Sequence, residues 1–388
     1  MRNVYLDNNA TTSIAPEVLE AMMPYLTELW GNPSSMHTFG GQVHTAIDRA
    51  REQVAAIINA DPTEIIFTSC GSESDNMAIR GSVETVVGYP HIVTTRVEHA
   101  AVLATCQYFE KRGCPTTWLG VDAQGQLNLD ELQQSLRHDT AIVSIMWANN
   151  ETGVMFPIEQ IAQIVKAAGK TFHTDAVQTV GKIPIDVRQI PIDMLAISGH
   201  KLHAPKGIGA TYIRKGTRVN PLILGGHQEF GKRAGTENVP YIVGLGKACE
   251  LAMKYMEEEN TRVLAMRDRL EEGILRSCPD VRVNGDRKNR LPNTTNISFE
   301  YIEGESILLM LDDLGVAASS GSACTSGSLE PSHVMRAMGV PFTAAHGSIR
   351  FSLSRYNTDD DIDHVIKHIP SIVKRLRELS PFVPSQAK

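Results

Sequence analysis

The chain has 388 residues, 42% hydrophobic, 21% charged and 6% aromatic, which is enough to bury a sizeable core and excludes disordered and fibrous classes. Its formal charge of -7, with no run of five Lys or Arg residues, leaves no positive field to gather phosphate backbones, so nucleic acid is not an expected partner. No stretch reaches the roughly 18 apolar residues of a membrane span, and no apolar signal core follows the opening Met1 to Asp7, so the expectation is a cytoplasmic protein without a membrane partner.

In chain order, residues 64 to 215 alternate short β-rich runs with helix-like segments. The runs are Glu64 to Thr68, His91 to Thr94, Ala141 to Trp147, Thr171 to Thr174, Asp193 to Ser198 and Gly209 to Ile213. That rhythm predicts an α/β fold with a mainly parallel sheet and crossover helices. The last third interleaves helices near 258–277 and 304–313 with strands near 294–299 and 347–353, which predicts a smaller α+β unit. Its closing helix is capped by Thr358, carries Asp359 to Asp361 in the first turn and spaces Ile362, Val365, Ile366, Ile369, Val373 and Leu376 helically, with Pro370 expected to bend it. The six cysteines, at 70, 106, 114, 249, 278 and 324, include no C-x-x-C pair and read as reduced thiols. Cys324 alone sits in a biased tract, Ser319 to Ser328.

Ligands of open α/β sheets bind beyond the carboxyl ends of the strands, so the polar residues after each apolar run matter most. After Phe67 comes Thr68-Ser69-Cys70-Gly71-Ser72-Glu73-Ser74, a small-residue turn opening a helix. Its amides and the Ser72 hydroxyl suit a phosphate, although Ser72 also reads as an ordinary N-cap. Glu98-His99, Asn149 to Gly153 and His173-Thr174-Asp175-Ala176-Val177-Gln178 follow three further runs. Taken singly, each reads more readily as hydrogen-bonded structure than as a functional group. Ser198-Gly199-His200-Lys201 ends a buried strand with an ammonium, which is costly there unless it finds a partner or becomes neutral, as a Schiff base would make it. A phosphate cradle, an imine-forming lysine, an aspartate for a pyridine nitrogen and an imidazole to lie on a ring are together the requirements of pyridoxal phosphate.

Tyr5-Leu6-Asp7-Asn8-Asn9-Ala10-Thr11-Thr12, Gly31-Asn32-Pro33-Ser34-Ser35, Ser198 to Gly207 and Ser319 to His333 resemble, in order, the motifs of the cysteine desulfurases, pyridoxal phosphate enzymes of the class-V aminotransferase family. Met146 to Gly153, Gly225 to Glu229 and Arg233 to Asn238 are most similar to the NifS type, which is associated with nitrogenase assembly. The resemblance implies a fold-type I transferase. Its large domain, residues 15–257, would hold a mainly parallel seven-stranded sheet, and a small α+β domain would comprise residues 1–14 and 258–388. It implies that Lys201 bonds the cofactor covalently, Asp175 pairs with its ring nitrogen, Gln178 bonds its hydroxyl, and His99 stacks on the ring and relays protons. Gly71, Ser72, Ser198 and His200 match phosphate ligands, Thr236 a ligand reaching the other subunit of a homodimer, and Asn150 a further cofactor contact. Arg350 and Asn32 match residues that hold the substrate carboxylate, a task suited to a planar guanidinium. Many relatives carry Ala-Thr or Gly-Thr where this chain has Gly71-Ser72, which keeps the hydroxyl.

The same resemblance makes Cys324 the nucleophile that takes sulfur from L-cysteine as a persulfide, releasing L-alanine and passing sulfur to an iron–sulfur scaffold protein. Transient iron–sulfur ligation at Cys324 is a further expectation. Attack requires a thiolate, with His99 the candidate proton shuttle. A selenocysteine lyase or an aminotransferase on the same scaffold is the competing enzyme reading, and Cys324 in its long Ser-rich loop opposes transamination. An iron–sulfur or metal carrier using Cys324, His333 and His346 fits no compact ligand spacing and leaves Lys201 and Asp175 without a task. A dinucleotide-dependent dehydrogenase is excluded, because no G-x-G-x-x-G follows the first predicted strand.

Overall fold

The computed structural model describes residues 3–320 and 331–382; Cys324 lies outside the described residues. After β1 (Val4–Tyr5) the chain builds β2 (Ile65–Thr68), β3 (His91–Thr95), β4 (Thr116–Leu119), β5 (Thr140–Ser144), β6 (Thr171–Asp175), β7 (Met194–Ser198) and β8 (Gly209–Ile213). Strands β2 to β8 form one seven-stranded sheet in the order β2-β8-β7-β6-β5-β3-β4, in which β8 alone runs antiparallel to its neighbours. Every residue of β2, β3, β7 and β8 is buried, as a sheet covered by helices on both faces requires.

Two details differ from the sequence reading. β4 is an edge strand, half-buried and paired only with β3, so its Thr-Thr-Trp run lacks the continuous apolar signal of the central strands. The strand expected to reach Trp147 ends its ladder at Ser144, yet Ile145 and Trp147 still donate backbone hydrogen bonds to His173 and Asp175 of β6.

The helix Val239–Glu258 passes through a π-turn, Glu259–Val263, into the helix Leu264–Ser277. Beyond this turn lie β9 (Val281–Val283), β10 (Thr294–Phe299), β11 (Val316–Ala317), β12 (Ser319–Ser320) and β13 (Ser348–Ser352). A second sheet runs β12-β13-β10-β9, all antiparallel, while β1 pairs in parallel with β11. Val4 and Leu6 share a buried cluster with Leu270, Ile297, Phe351, Ile362, Val365 and Ile369, whereas Val334, Met335 and Ala344 join the core of the large sheet. The closing helix, Asp359–Leu379, carries Pro370 within it. A capping box starts it: Thr358 Oγ1 accepts from Asp361 N–H and the Asp361 carboxylate from Thr358 N–H. Among the described residues no helix is long and apolar enough to cross a membrane.

Buried Arg51 ties the framework together. Its guanidinium donates to both carboxylate oxygens of Glu229, at 2.7 and 2.8 Å, and to the carbonyl of Ile65, while Glu229 also accepts from Phe67 N–H. Helix Thr38–Ile57, strand β2 and the segment leading to Thr236 are thereby joined. Glu229→Ala leaves a buried, uncompensated guanidinium and should lower the unfolding free energy by about 3–5 kcal/mol. Guanidinium denaturation is the check, and the double variant Arg51→Met/Glu229→Leu should lose less than Glu229→Ala.

Candidate active site

The carboxyl ends of β2, β3, β5, β6 and β7 converge on one edge of the sheet, which brings together the segments carrying Gly71, His99, Asn150, Asp175 and Lys201. Thr68 and Ser198 both oppose Gly209 in the ladder. A Cβ on Gly209 would lie 2.6 Å from the Ile197 carbonyl oxygen and 2.9 Å from the backbone of Cys70, so glycine is required for that approach. Gly71 is packed against the turn after β6, since a Cβ there would meet Val177 at 2.7 Å, and it lies beside the end of β7, with Ser198 at 3.4 Å. The helix Gly71–Val83 starts after Cys70 with no side-chain cap. Its first-turn amides and the exposed Ser72 lie beside buried Ser198, and free amides at a helix start can accept an anion.

Lys201 ends the short helical turn after β7, and its Nζ donates to the carbonyls of Asn9 and Ala10 at 2.6 and 2.7 Å. Burial brings its pKa down to about 7, Arg350 and Lys182 push the same way, and Asp7 and Asp175 oppose. Gln178 donates to the same Asn9 carbonyl at 3.1 Å, and its Oε1 is buried without a hydrogen-bond partner. The N-terminal segment also holds the lysine's turn in place. Thr12 bonds the His200 carbonyl and accepts from His203 N–H, and His200 Nδ1 lies 3.2 Å from Thr11 Oγ1. His200 is held near a pKa of about 4, first by burial and then by Lys201, Lys206 and His99.

Asp175, at the end of β6, is buried and accepts from Val177 N–H. Burial raises its pKa, against His99, that N–H and Lys201. His99 caps the helix Ala100–Glu110, its Nδ1 accepting from Ala101 N–H, which leaves Nε2 to carry the proton of a neutral ring. Ligand atoms of His99, Asp175 and Asp75 lie within 4.8 Å of one another. Neither His333 nor His346 belongs to that group: His333 Nε2 donates to the Glu98 carbonyl, and His346 lies 3.4 Å from Glu303.

Arg350, on β13, donates to Asp7 Oδ1 at 2.7 Å and to the Asn150 carbonyl at 3.0 Å, and its Nε is buried without a partner. Ser319 pairs with Arg350 across the ladder, and beyond Cys324 the chain is tied again by Ser332 to the Glu151 carboxylate and by His333 to Glu98. The segment carrying Cys324 therefore leaves from beside Arg350 and returns beside His99. Asn32 and Thr236 stand apart. Both are exposed, and among the described residues neither bonds to the Lys201 group; Asn32 accepts from Ser34 N–H at Oδ1 and from Ser35 N–H at its carbonyl.

Sequence reasoning missed the carbonyls of Asn9 and Ala10, the Asp7 partner of Arg350, and Asp75. Backbone carbonyls carry no residue-type signal. Asp75 did carry one, since it shares the buried face of its helix with Ala78, Ile79 and Ser82.

The Aminotransferase class-V family description matches residues 4–365. A cysteine desulfurase of Trichormus azollae is 61% identical over 387 residues, covering 100% of this chain and 97% of that one. The cysteine desulfurase NifS of Azotobacter vinelandii is 57% identical over 383 residues, 98% of this chain and 95% of its own. A solved structure described as a NifS-like protein superposes with a TM-score of 0.91 at 39% identity, covering 97% of this chain and all of that one. The chain belongs to the class-V aminotransferase family and, within it, to the cysteine desulfurases. The fold is fold-type I, and cysteine desulfurases of this family depend on pyridoxal phosphate.

A lysine held neutral by burial should react with acylating agents at a pH where surface lysines do not. Competitive acetic anhydride labelling of the cofactor-free protein, read by peptide mass, should give Lys201 a midpoint near 7, and a midpoint in the ordinary range of a lysine in water, about 10.4, would contradict it.

Proposed function

We propose that the protein converts L-cysteine into L-alanine with pyridoxal phosphate and carries the released sulfur as a persulfide on Cys324. The observation that carries this reading is the buried amine of Lys201, held near neutrality on an edge of the sheet that also presents Asp175. The uncapped helix at Gly71 and the unpartnered buried atoms Gln178 Oε1 and Arg350 Nε fit the same cofactor and its substrate. When bound, pyridoxal phosphate supplies an aldehyde carbon that takes amines and a ring that accepts the electrons released at the substrate's α-carbon.

Gly71, Ser72, Ser198 and His200 hold the phosphate, Gln178 the ring hydroxyl, and Asn150 makes a further contact. Asp175 would keep a proton at the ring nitrogen, and His99 would be the residue to stack on the ring. Lys201 would hold the cofactor covalently and, once freed as a neutral amine, would take the substrate's α-proton. Arg350 and Asn32 bind the substrate carboxylate. The Cys324 thiolate, with His99 as its proton shuttle, would attack the substrate sulfur as the substrate's Cβ–S bond breaks; the electron pair of that bond would stay on the substrate's Cβ, which takes a proton before release as alanine. The anchoring of the Cys324 segment beside Arg350 and His99 supports that delivery. An iron–sulfur scaffold protein as the acceptor and nitrogenase assembly as the destination belong to the same proposal, in keeping with the likeness to a cysteine desulfurase NifS, as do transient iron–sulfur ligation at Cys324 and a cytoplasmic setting.

The protein should be yellow, and borohydride should fix the cofactor on Lys201. Lys201→Ala should bind the cofactor without a covalent bond and fail to turn over. In Cys324→Ala, L-cysteine should still perturb the absorption spectrum, yet alanine should not accumulate. In the unmutated protein, alkylation and peptide mass after brief exposure to L-cysteine should place one extra sulfur on Cys324 and on none of the other cysteines. A colourless protein that takes up no pyridoxal phosphate ends the reading, and alanine production by Cys324→Ala moves the nucleophile elsewhere.

We also propose a homodimer, in which Thr236 completes the partner's phosphate site. Leu19, Met23 and Leu26 are exposed at helical spacing on Pro16–Thr27, with Trp30 beyond them, and such an apolar face suits burial against a second copy. Sedimentation should show a dimer at working concentration, and a fully active monomer would reject it.

A further inference from the structure

Beneath Asp175 lies a buried pair that the proposed reaction does not use. Asp75 and His173 are 1% and 0% exposed, Asp75 Oδ1 stands 3.6 Å from His173 Nε2, and neither atom has a hydrogen-bond partner. His173 is on β6, two residues before Asp175 and so on the same face of the strand. Its Nδ1 lies 2.9 Å from Ser144 Oγ, its register partner on β5. The groups facing Asp75 are Asp175 and His173 from β6, Glu98 and His99 from the turn before the helix Ala100–Glu110, Cys106 from that helix and Cys70 at the start of its own.

This neighbourhood is rich in acids. Burial raises Asp75 well above the ordinary carboxylate range, with Asp175, Glu98 and Cys70 adding to the effect, and takes Glu98 to about 8. Burial also holds His173 down at about 3, so its ring is neutral near pH 7 and offers one acceptor nitrogen. If Ser144 Oγ takes the Nδ1 proton, Nε2 is that acceptor. The gap to Asp75 Oδ1 is then a few tenths of an ångström beyond a hydrogen bond, within reach of a small side-chain rotation.

We propose that Asp75 is a positioning residue: as a neutral acid it donates its proton to His173 Nε2, and so leaves the negative charge of this buried cluster on Asp175. Two ionised carboxylates at this depth repel, so the acid that keeps its proton determines which one stays charged. His173 and Ser144 form the relay that orients the proton away from Asp175. The inference deepens the proposed function and rests on Asp175 as the partner of a pyridine nitrogen.

Asp75→Asn keeps a neutral donor, and Asp75→Leu removes it. In the cofactor-free protein, the infrared carbonyl band of a protonated carboxyl should be present at neutral pH and lose intensity in Asp75→Asn. In the loaded protein, Asp75→Asn should leave the midpoint of the pH-dependent colour change within about half a unit of the original, because no charge has been removed. Asp75→Leu should weaken pyridoxal phosphate binding about tenfold, measured by absorbance titration, while Asp75→Asn restores it. No infrared difference, or a midpoint moved by about one unit or more in Asp75→Asn, would show an ionised Asp75 and overturn the proposal. So would a Leu variant that binds cofactor like the unmutated protein. Should Asp75→Leu not fold, the infrared band and the Asn titration still decide the matter. Failure of the unmutated protein to take up cofactor would overturn the proposed function instead, leaving the infrared result to judge the protonation of Asp75.

Discussion

An amine is buried at the end of β7 with backbone carbonyls as its hydrogen-bond partners, and the architecture is arranged around that fact. A lysine in water is charged and unreactive at neutral pH; one held away from water near Arg350 and Lys182 is a nucleophile. The carbonyls of Asn9 and Ala10 accept from the amine without supplying the full negative charge that would raise its pKa again. Placing them there requires the N-terminal segment to cross from β1, in the C-terminal core, to the edge of the large sheet. Side-chain and backbone bonds anchor it along the way: Asn8 and Asn9 bond Ser352 of β13, Asn9 also meets Thr294 and Asn293, and Thr12 bonds the His200 carbonyl. The reactivity of one side chain thus depends on contacts between chain segments more than three hundred residues apart.

The sheet was legible in the sequence wherever strands are buried on both faces, because continuous apolar runs such as Met194 to Ser198 have few other readings. β4 was not legible, since an edge strand needs only one apolar face and its Thr-Thr-Trp run resembles a loop. Lys201 and Asp175 could be singled out because a charged residue closing a buried strand violates the expected pattern. Their distance from Asn32 and Thr236 could not be read the same way. Those two sit on exposed loops, where no packing constraint writes a position into the sequence, and the family motif alone marks them. Asp75 lay between these cases: the helical period exposes it as an acid on an apolar face, but what it faces depends on which strand the helix covers.

Arg350 shows how the same burial logic extends to the substrate side. Arg350, its side chain 5% exposed, is destabilising if left unpaired, and Asp7, its side chain 19% exposed, compensates it. A substrate carboxylate presents the same planar pair of oxygens and can take over that role. On the proposed reading the exchange leaves the buried charge around Arg350 unchanged, and the displaced Asp7, the more exposed of the pair, is the partner that water can resolvate. Asp7 also opposes the lowering of the Lys201 pKa, and an incoming carboxylate carries the same single charge, so the exchange keeps that opposition in place. Arg350 and Lys201 thus share one carboxylate neighbour, and the sharing follows from where the N-terminal strand is anchored.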